Sequence, residues 1–282
     1  MPEDRQVRTR TRVRHIHIKL SLGAGLLLGQ TPRPALAQIA VLSSTVEERV
    51  AFPGDRYSGT IVIGNSTARP QVVRIFQTDY SFLANGTSAF NEPGSTRRSN
   101  ATWITPQTTR VVVPAGTQIA VPYSVLVPPG DSLTGSYWSA IMVEGAPNES
   151  AASAKPGAPG VAVGAVIRYA IQVTTHVRDQ GARTVRFENE QASATSSNTL
   201  MFDVDVANAG ERAFRPILWM EVYDADGGLR AKARQSRGLL YPGSSLRQHF
   251  DLGILPTGRY KAVLFADTGS DAVFAKQFSI NF

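Results

Sequence analysis

The chain contains no cysteine. That absence excludes a disulfide scaffold and every cysteine-based zinc site. Histidine is scarce as well, with His15, His17, His176 and His249 as the full set. None has a partner at metal-ligand spacing, and no H-E-x-x-H, G-x-S-x-G or phosphate-loop pattern occurs. Beyond residue 28 no apolar run approaches the length of a membrane span, and no stretch shows the 3.6-residue period of an amphipathic helix. Catalytic residues, cofactors and metals are therefore not expected.

The chain opens on a targeting pattern. Arg5, Arg8, Arg10, Arg12, Arg14 and Lys19 form a basic region, followed by the short apolar run LSLGAGLLL at 20–28. Ala35-Leu36-Ala37 fits the small-x-small cleavage rule, so residues 1–37 read as a signal peptide and Gln38 as the first mature residue. The product is expected to be soluble, in the periplasm or otherwise outside the cytoplasm, with no stable membrane insertion.

This assignment changes the electrostatic reading. Residues 1–37 carry seven Lys/Arg and two acids, a net of +5 out of the chain's +7, which leaves +2 for the remainder. A basic patch on a folded domain is what nucleic-acid binding needs, and a total dominated by an export signal does not supply one.

The 245 residues that follow suit two domains of ordinary size. Short alternating segments recur every 8–15 residues or so, broken by Gly and Pro turns. YSGTIVI at 57–63 places Tyr57, Gly59, Ile61 and Ile63 on one face. SYWSAIMVE at 136–144 sets Tyr137, Ser139, Ile141 and Val143 against Trp138, Ala140 and Met142. NEPGSTRRSN at 91–100 reads as an exposed loop, and Asn85-Gly86 as a hairpin turn. RDQGAR at 178–183 is a polar break suited to a hinge. Beyond it LMFDVDV, ILWMEVY and YKAVLF repeat the style. The fold class is all-β: two tandem β-sandwiches, spanning 38–178 and 183–282.

One segment is unusual. Residues 161–177 alternate throughout, with Val161, Val163, Ile167, Tyr169, Ile171 and Val173 on one face. Strands average about 5–6 residues. A longer run either links two layers or can lend part of its length to a partner by β-augmentation. A loop of small residues, 145–160, precedes it.

Other polar residues have plain structural readings. His176 lies on the more polar face of the long strand, where a solvated or hydrogen-bonded role suffices. Asp203 and Asp205 share a strand face as paired carboxylates do, and solvated outer residues account for them equally. Asp224 and Asp226 lack the further oxygen ligands of a calcium loop. Trp103, Trp138 and Trp219 can mark a sugar platform or simply core. Four glycosylation sequons, at Asn65, Asn85, Asn100 and Asn148, fall in expected loops.

With these residues in view, the chain resembles the periplasmic chaperones of the chaperone–usher pilus pathway. Arg49-Val50-Ala51-Phe52, followed by a strand ending Ile63-Gly64-Asn65, is similar to that family's first two strands. Trp103-Ile104-Thr105-Pro106, Arg110 and Pro114-Ala115-Gly116 resemble its next motif, and 136–144 followed by the long alternating strand resembles its last two strands. The resemblance implies two immunoglobulin-like domains and a non-enzymatic role. It implies a pilin-like or surface-fibre subunit as partner, with an outer-membrane usher beyond it. Val161, Val163, Ile167, Tyr169 and Ile171 would be donated to the subunit, and Arg49 would hold its terminal carboxylate. The family's companion lysine falls near Gln172, with Arg168 further along the same face. The chain is also similar to Gram-positive cell-wall proteins that interact with WxL-domain proteins, which share the Pro53-Gly54-Asp55 turn. That resemblance implies a wall or surface-protein binding module.

Overall fold

The computed structural model describes residues 39–145, 166–270 and 272–282. The expected leader, the Gln38 start, Val161 and Val163 lie outside the described residues. The architecture is all-β, two immunoglobulin-like sandwiches in tandem, and a three-residue 3-10 turn at Ala101–Trp103 is the one helical element among the described residues.

The first sandwich holds β1 (Ile39–Val41), β2 (Val46–Ala51), β3 (Arg56–Asn65), β4 (Gln71–Phe82), β5 (Ser88–Asn91), β6 (Ile104–Pro106), β7 (Arg110–Val113), β8 (Gln118–Leu126), β9 (Gly135–Gly145) and β10 (Arg168–Val177). One sheet runs β1-β3-β8-β6 and the other β2-β10-β9-β4-β5, with β7 also on β4. The opening segment therefore changes sheets between β1 and β2. β1 adds antiparallel to β3, and β2 adds parallel to β10. Alternation decides the core: Ile61, Ile63, Val73, Ile75, Ile141, Val143, Ile171 and Val173 meet between the sheets.

The second sandwich holds β11 (Val185–Ala194), β12 (Thr199–Asn208), β13 (Ile217–Tyr223), β14 (Leu229–Ser236), β15 (Ser245–Ile254), β16 (Arg259–Asp267) and β17 (Val273–Asn281). Its sheets run β11-β12-β15 and β14-β13-β16-β17. Leu200, Phe202, Val204, Val206, Leu218, Met220, Phe250 and Leu264 form a separate core.

Each sandwich closes one long strand with the same device. β3 ends at Asn65, whose Oδ1 accepts from the Thr67 amide (2.9 Å) while Nδ2 donates to the Arg69 carbonyl (2.7 Å) and to Val113 O. β12 ends at Asn208, whose Oδ1 accepts from Gly210 N (2.9 Å) while Nδ2 donates to Arg212 O (2.8 Å) and to Leu240 O. A buried carboxamide thus satisfies backbone groups where two strands part. Asn100 does similar work inside the first core, donating to Val173 O and Thr175 Oγ1 and accepting from Ser139 Oγ. Asn65 and Asn100 are buried, so two of the expected loop sequons are closed to modification in the folded chain.

The segment 91–100 is largely exposed, as expected of a polar loop, and it is also anchored. It wraps Asp79, a carboxylate with 0% exposure. The amides of Gly94 (3.2 Å) and Thr96 (2.7 Å) and the hydroxyls of Ser95 and Ser99 all donate to it. Ser95, Ser99 and Asn100 turn their polar groups inward, while Glu92 and Arg97 stay exposed.

A third cluster joins the sandwiches. Tyr241 stacks on Trp138 at 4.8 Å and 8° between ring planes, with Tyr80 and Phe82 at its edges. Leu239 and Ala213 complete the cluster. The Tyr241 hydroxyl donates to Gln172 Oε1 (2.6 Å), and burial pushes this phenol's pKa up. The polar 178–183 break is a turn in which Arg178, Asp179 and Gly181 take positive φ. It is pinned by ion pairing of Arg212 with Asp179 and by Arg183 donating to Thr268 O.

Candidate functional site

β10 lies between β9 and β2, but unequally. Its pairing with β9 runs the full length, Arg168 to Val177. Its pairing with β2 begins only at Gln172, opposite Val46. Arg168 to Ile171 therefore have one hydrogen-bonded neighbour among the described residues. The direction of the unused groups follows from alternation. Gln172 N–H donates to Thr45 O on the β2 side (2.8 Å), so Ala170 and Arg168, two and four residues earlier, turn their backbone groups to that same open side. Val166 and Ile167, at 40% and 43% exposure, continue from this edge without strand pairing.

The sheet face beside the edge is a groove of about 490 Å³. Phe76, Met142 and Ala170 floor it, and Phe90 from the β4–β5 hairpin walls one side. At its mouth the nearly buried Glu144 carboxylate is held between Arg74 (3.3 Å) and Arg168. Each guanidinium remains more than half exposed, and Arg74 also lies over the Phe76 ring at 5.5 Å. Open backbone donors and acceptors, an apolar floor and half-exposed cations meet at one strand, which is the chemistry needed to receive an extended polypeptide.

The predicted site residues do not all lie here. Ile167 is at the edge. Tyr169 is half-buried, packs on the first core and donates its hydroxyl to Ile39 O (2.8 Å). Ile171 is 1% exposed and belongs to the sandwich's own core. From residue 169 onward the odd-numbered face is turned inward, so those side chains cannot fill another protein's groove without opening the sandwich. The single strand expected over 161–177 begins at Arg168 within the described residues.

Arg49 and Gln172 are not brought together. In the parallel register Arg49 is opposite Thr175, while Gln172 is opposite Val46. Adjacent residues in register share a face, so Arg49 and Gln172 lie on opposite faces of the sheet. Arg49 is exposed on the side of Tyr57 and Tyr123. Gln172 is engaged by Tyr241. The cation beside the open edge is Arg168, with Arg74 across Glu144.

His176 is buried rather than solvated. Its Nδ1 is 2.8 Å from Ser136 Oγ and its Nε2 3.2 Å from Glu48 Oε2. The carboxylate must accept, so Nε2–H donates and, with the ring neutral, Nδ1 accepts from the Ser136 hydroxyl. The His176 bond, opposed by burial and helped by Arg215, holds the Glu48 carboxyl below its ordinary value. Serine, histidine and glutamate thus touch as a hydrolytic triad does. Here, however, Ser136 is fully buried and its Oγ accepts from Ala213 N–H (2.8 Å). The Arg215–Glu48 pair (2.5 Å) comes from the same second-sandwich segment. The arrangement ties the two sandwiches together and leaves the hydroxyl no room to meet a substrate.

The remaining polar residues singled out by the sequence are structural. Asp205 is buried and held low by Arg247, against burial and with help from Asn189; Asp203 meets His249 at 2.6 Å. Asp224 Oδ1 accepts from the amides of Asp226 and Gly228, capping a turn. Among the described residues no three His, Asp or Glu side chains gather as a metal site.

No family model matches the sequence, and no curated protein matches it. Solved structures do. A chain of a chaperone–tip adhesin complex of CFA/I fimbriae biogenesis is 8% identical, with 86% of this chain and 98% of that one covered at a TM-score of 0.46. The class 5 fimbriae chaperone CfaA is 9% identical, with coverages of 85% and 98% and a TM-score of 0.45. A chain of the CsuC–CsuE chaperone–tip adhesion subunit complex of Acinetobacter baumannii is 10% identical, with coverages of 86% and 98% and a TM-score of 0.43.

Proposed function

We propose that this chain is an exported, non-enzymatic chaperone-like protein that binds pilus or surface-fibre subunits by β-strand donation, handing them on to an outer-membrane usher. The open edge of β10 over Arg168 to Ile171 carries the reading. A subunit strand laid along it would bond to the backbone of Arg168 and Ala170. Val161, Val163 and Ile167, preceding the edge, would supply apolar side chains, and Arg168 would face acidic or terminal groups of the partner. The motif resemblance of residues 49–52, 103–116 and 136–144 supports the same reading.

Ala170→Pro and Ile167→Asp test it. Proline at 170 removes an amide that points to the open side and leaves pairing with β9 in place. Co-purification of a surface-fibre subunit from the periplasm is expected to fall at least about tenfold for each variant, the equivalent of about 1.4 kcal/mol, with the unfolding midpoint within a few degrees of wild type. Capture at the wild-type yield by both variants would refute strand donation. Retention of the protein on purified peptidoglycan, with no fibre subunit recovered, would instead identify a wall-binding module.

A further inference from the structure

At the junction a pocket of about 460 Å³ opens between the sandwiches. Ser81, Arg97, Arg98 and Trp138 line it from the first, and Arg186 and Ser244 from the second. Three arginines line it and no acidic residue does. Arg98 is the fixed one. Its Nη1 donates to Thr134 O (2.9 Å), its Nη2 pairs with Glu211 (3.4 Å), and its plane lies over Tyr137 at 5.6 Å. Arg186 is exposed and paired with Glu188 at 3.2 Å, and Arg97 is exposed.

Arg97 is carried by a rigid support. It belongs to the segment wound around Asp79, where four donors converge on one buried carboxylate. Burying a charge to fix a loop is unfavourable unless every bond is made, and a loop so fixed presents its next two residues, Arg97 and Arg98, in one place. Arginines from both sandwiches around one pocket, one of them on a pre-organised support, with Ser81 and Ser244 also lining it, are the elements of an oxyanion site. The pocket lies apart from the β10 edge and does not depend on strand donation.

We infer that this junction pocket binds an oxyanion, a phosphate or a carboxylate, through Arg97 and Arg186, with Arg98 as its positive back wall. Because the two ligands come from different sandwiches, the bound anion bridges them. Free phosphate and a carboxylate on a polypeptide present the same paired oxygens, and the experiment separates them.

The full chain is titrated with inorganic phosphate and, separately, with a tetraglutamate peptide, at constant ionic strength set by chloride. Tryptophan fluorescence is followed, since Trp138 lines the pocket, together with the unfolding midpoint. A saturable response with a raised midpoint is expected for at least one probe. Phosphate alone identifies a free anion as the ligand, and tetraglutamate alone a polypeptide carboxylate. The double variant Arg97→Ala/Arg186→Ala should weaken half-saturation at least about tenfold. A charge-matched control, Arg259→Ala/Lys261→Ala on exposed β16 positions, should leave it unchanged. No saturable response to either probe, or equal weakening in the control, overturns the site.

Discussion

Replacing Tyr241 should uncouple the two sandwiches. Tyr241 is fully buried, stacks face to face on Trp138 and donates to Gln172. Removing a buried aromatic side chain typically costs about 3–5 kcal/mol through lost transfer energy and the cavity left behind. The stacked pair adds about 0.5–1.5 kcal/mol. The freed Gln172 oxygen is only partly buried and adds about 1 kcal/mol. Tyr241→Ala should therefore cost about 6 kcal/mol, a large share of an ordinary domain's stability. Tyr241→Phe keeps the stack and loses one hydrogen bond, so it should cost about 1 kcal/mol. The location of the loss matters more than its size. Each sandwich keeps its own complete core, so the alanine variant should unfold in urea in two steps where the wild type shows one. Near-ultraviolet signals can assign the steps, because Trp103 belongs to the first sandwich and Trp219 stacks on Phe265 in the second. Each step should have roughly half the wild-type denaturant slope, which scales with the surface exposed. A single transition at the wild-type midpoint in Tyr241→Ala would refute the assignment of this cluster as the joint.

Two further predictions concern the first sandwich. Burial alone would raise the Asp79 pKa, but the Ser99 hydroxyl and the Thr96 and Gly94 amides outweigh it and hold the carboxyl below its ordinary value. A depressed carboxyl stabilises the fold above its unfolded pKa, and that stabilisation fades as pH falls through the lower folded value. Asp79→Asn should thus cost about 3 kcal/mol at pH 7, and the gap from wild type should narrow below about pH 4; urea titrations at pH 7 and pH 3 showing an equal gap would contradict this. At Gly59 an added Cβ would come within 2.3 Å of the Tyr123 ring. The ring must move, so Gly59→Ala should lower stability by about 1–3 kcal/mol, read from the thermal midpoint, and Gly59→Ala with Tyr123→Leu should recover part of the loss.

Where one face of a strand meets water, the sequence was a good guide. The alternation over 57–63 and 200–206 puts Ile61, Ile63, Leu200, Phe202, Val204 and Val206 in the cores. It is a weaker guide where both faces are covered. In β9 Tyr137 and Ile141 face the core, yet Trp138 and Met142 are buried as well, Trp138 because Tyr241 of the second sandwich lies over it. Nothing local announces such cover. The same limit separates the expected from the observed site. Apolar alternation marks 167–177 as a strand but cannot say that Ile171 faces inward to its own core. Arg49 and Gln172 stand on opposite faces because β2 pairs with β10 in a particular parallel register, a long-range property with no trace in either segment. Polar residues misled in the other direction. Asn65, Asn100 and Asp79 look solvated by type, and each is buried because it satisfies backbone groups that would otherwise be unpaired.

The change of sheets between β1 and β2 acts as a ruler for the open edge. β1 is committed to β3, and only after the chain has crossed at 42–45 can β2 zip onto β10. The crossing point decides how many residues of β10 stay uncovered, at present four, or about 13 Å of strand at about 3.3 Å per residue. Lengthening the crossing would bare more of β10, and shortening it would seal the edge from within, with no change to β10 itself. The reach of the edge is thus written in the spacing of the segment that precedes β2.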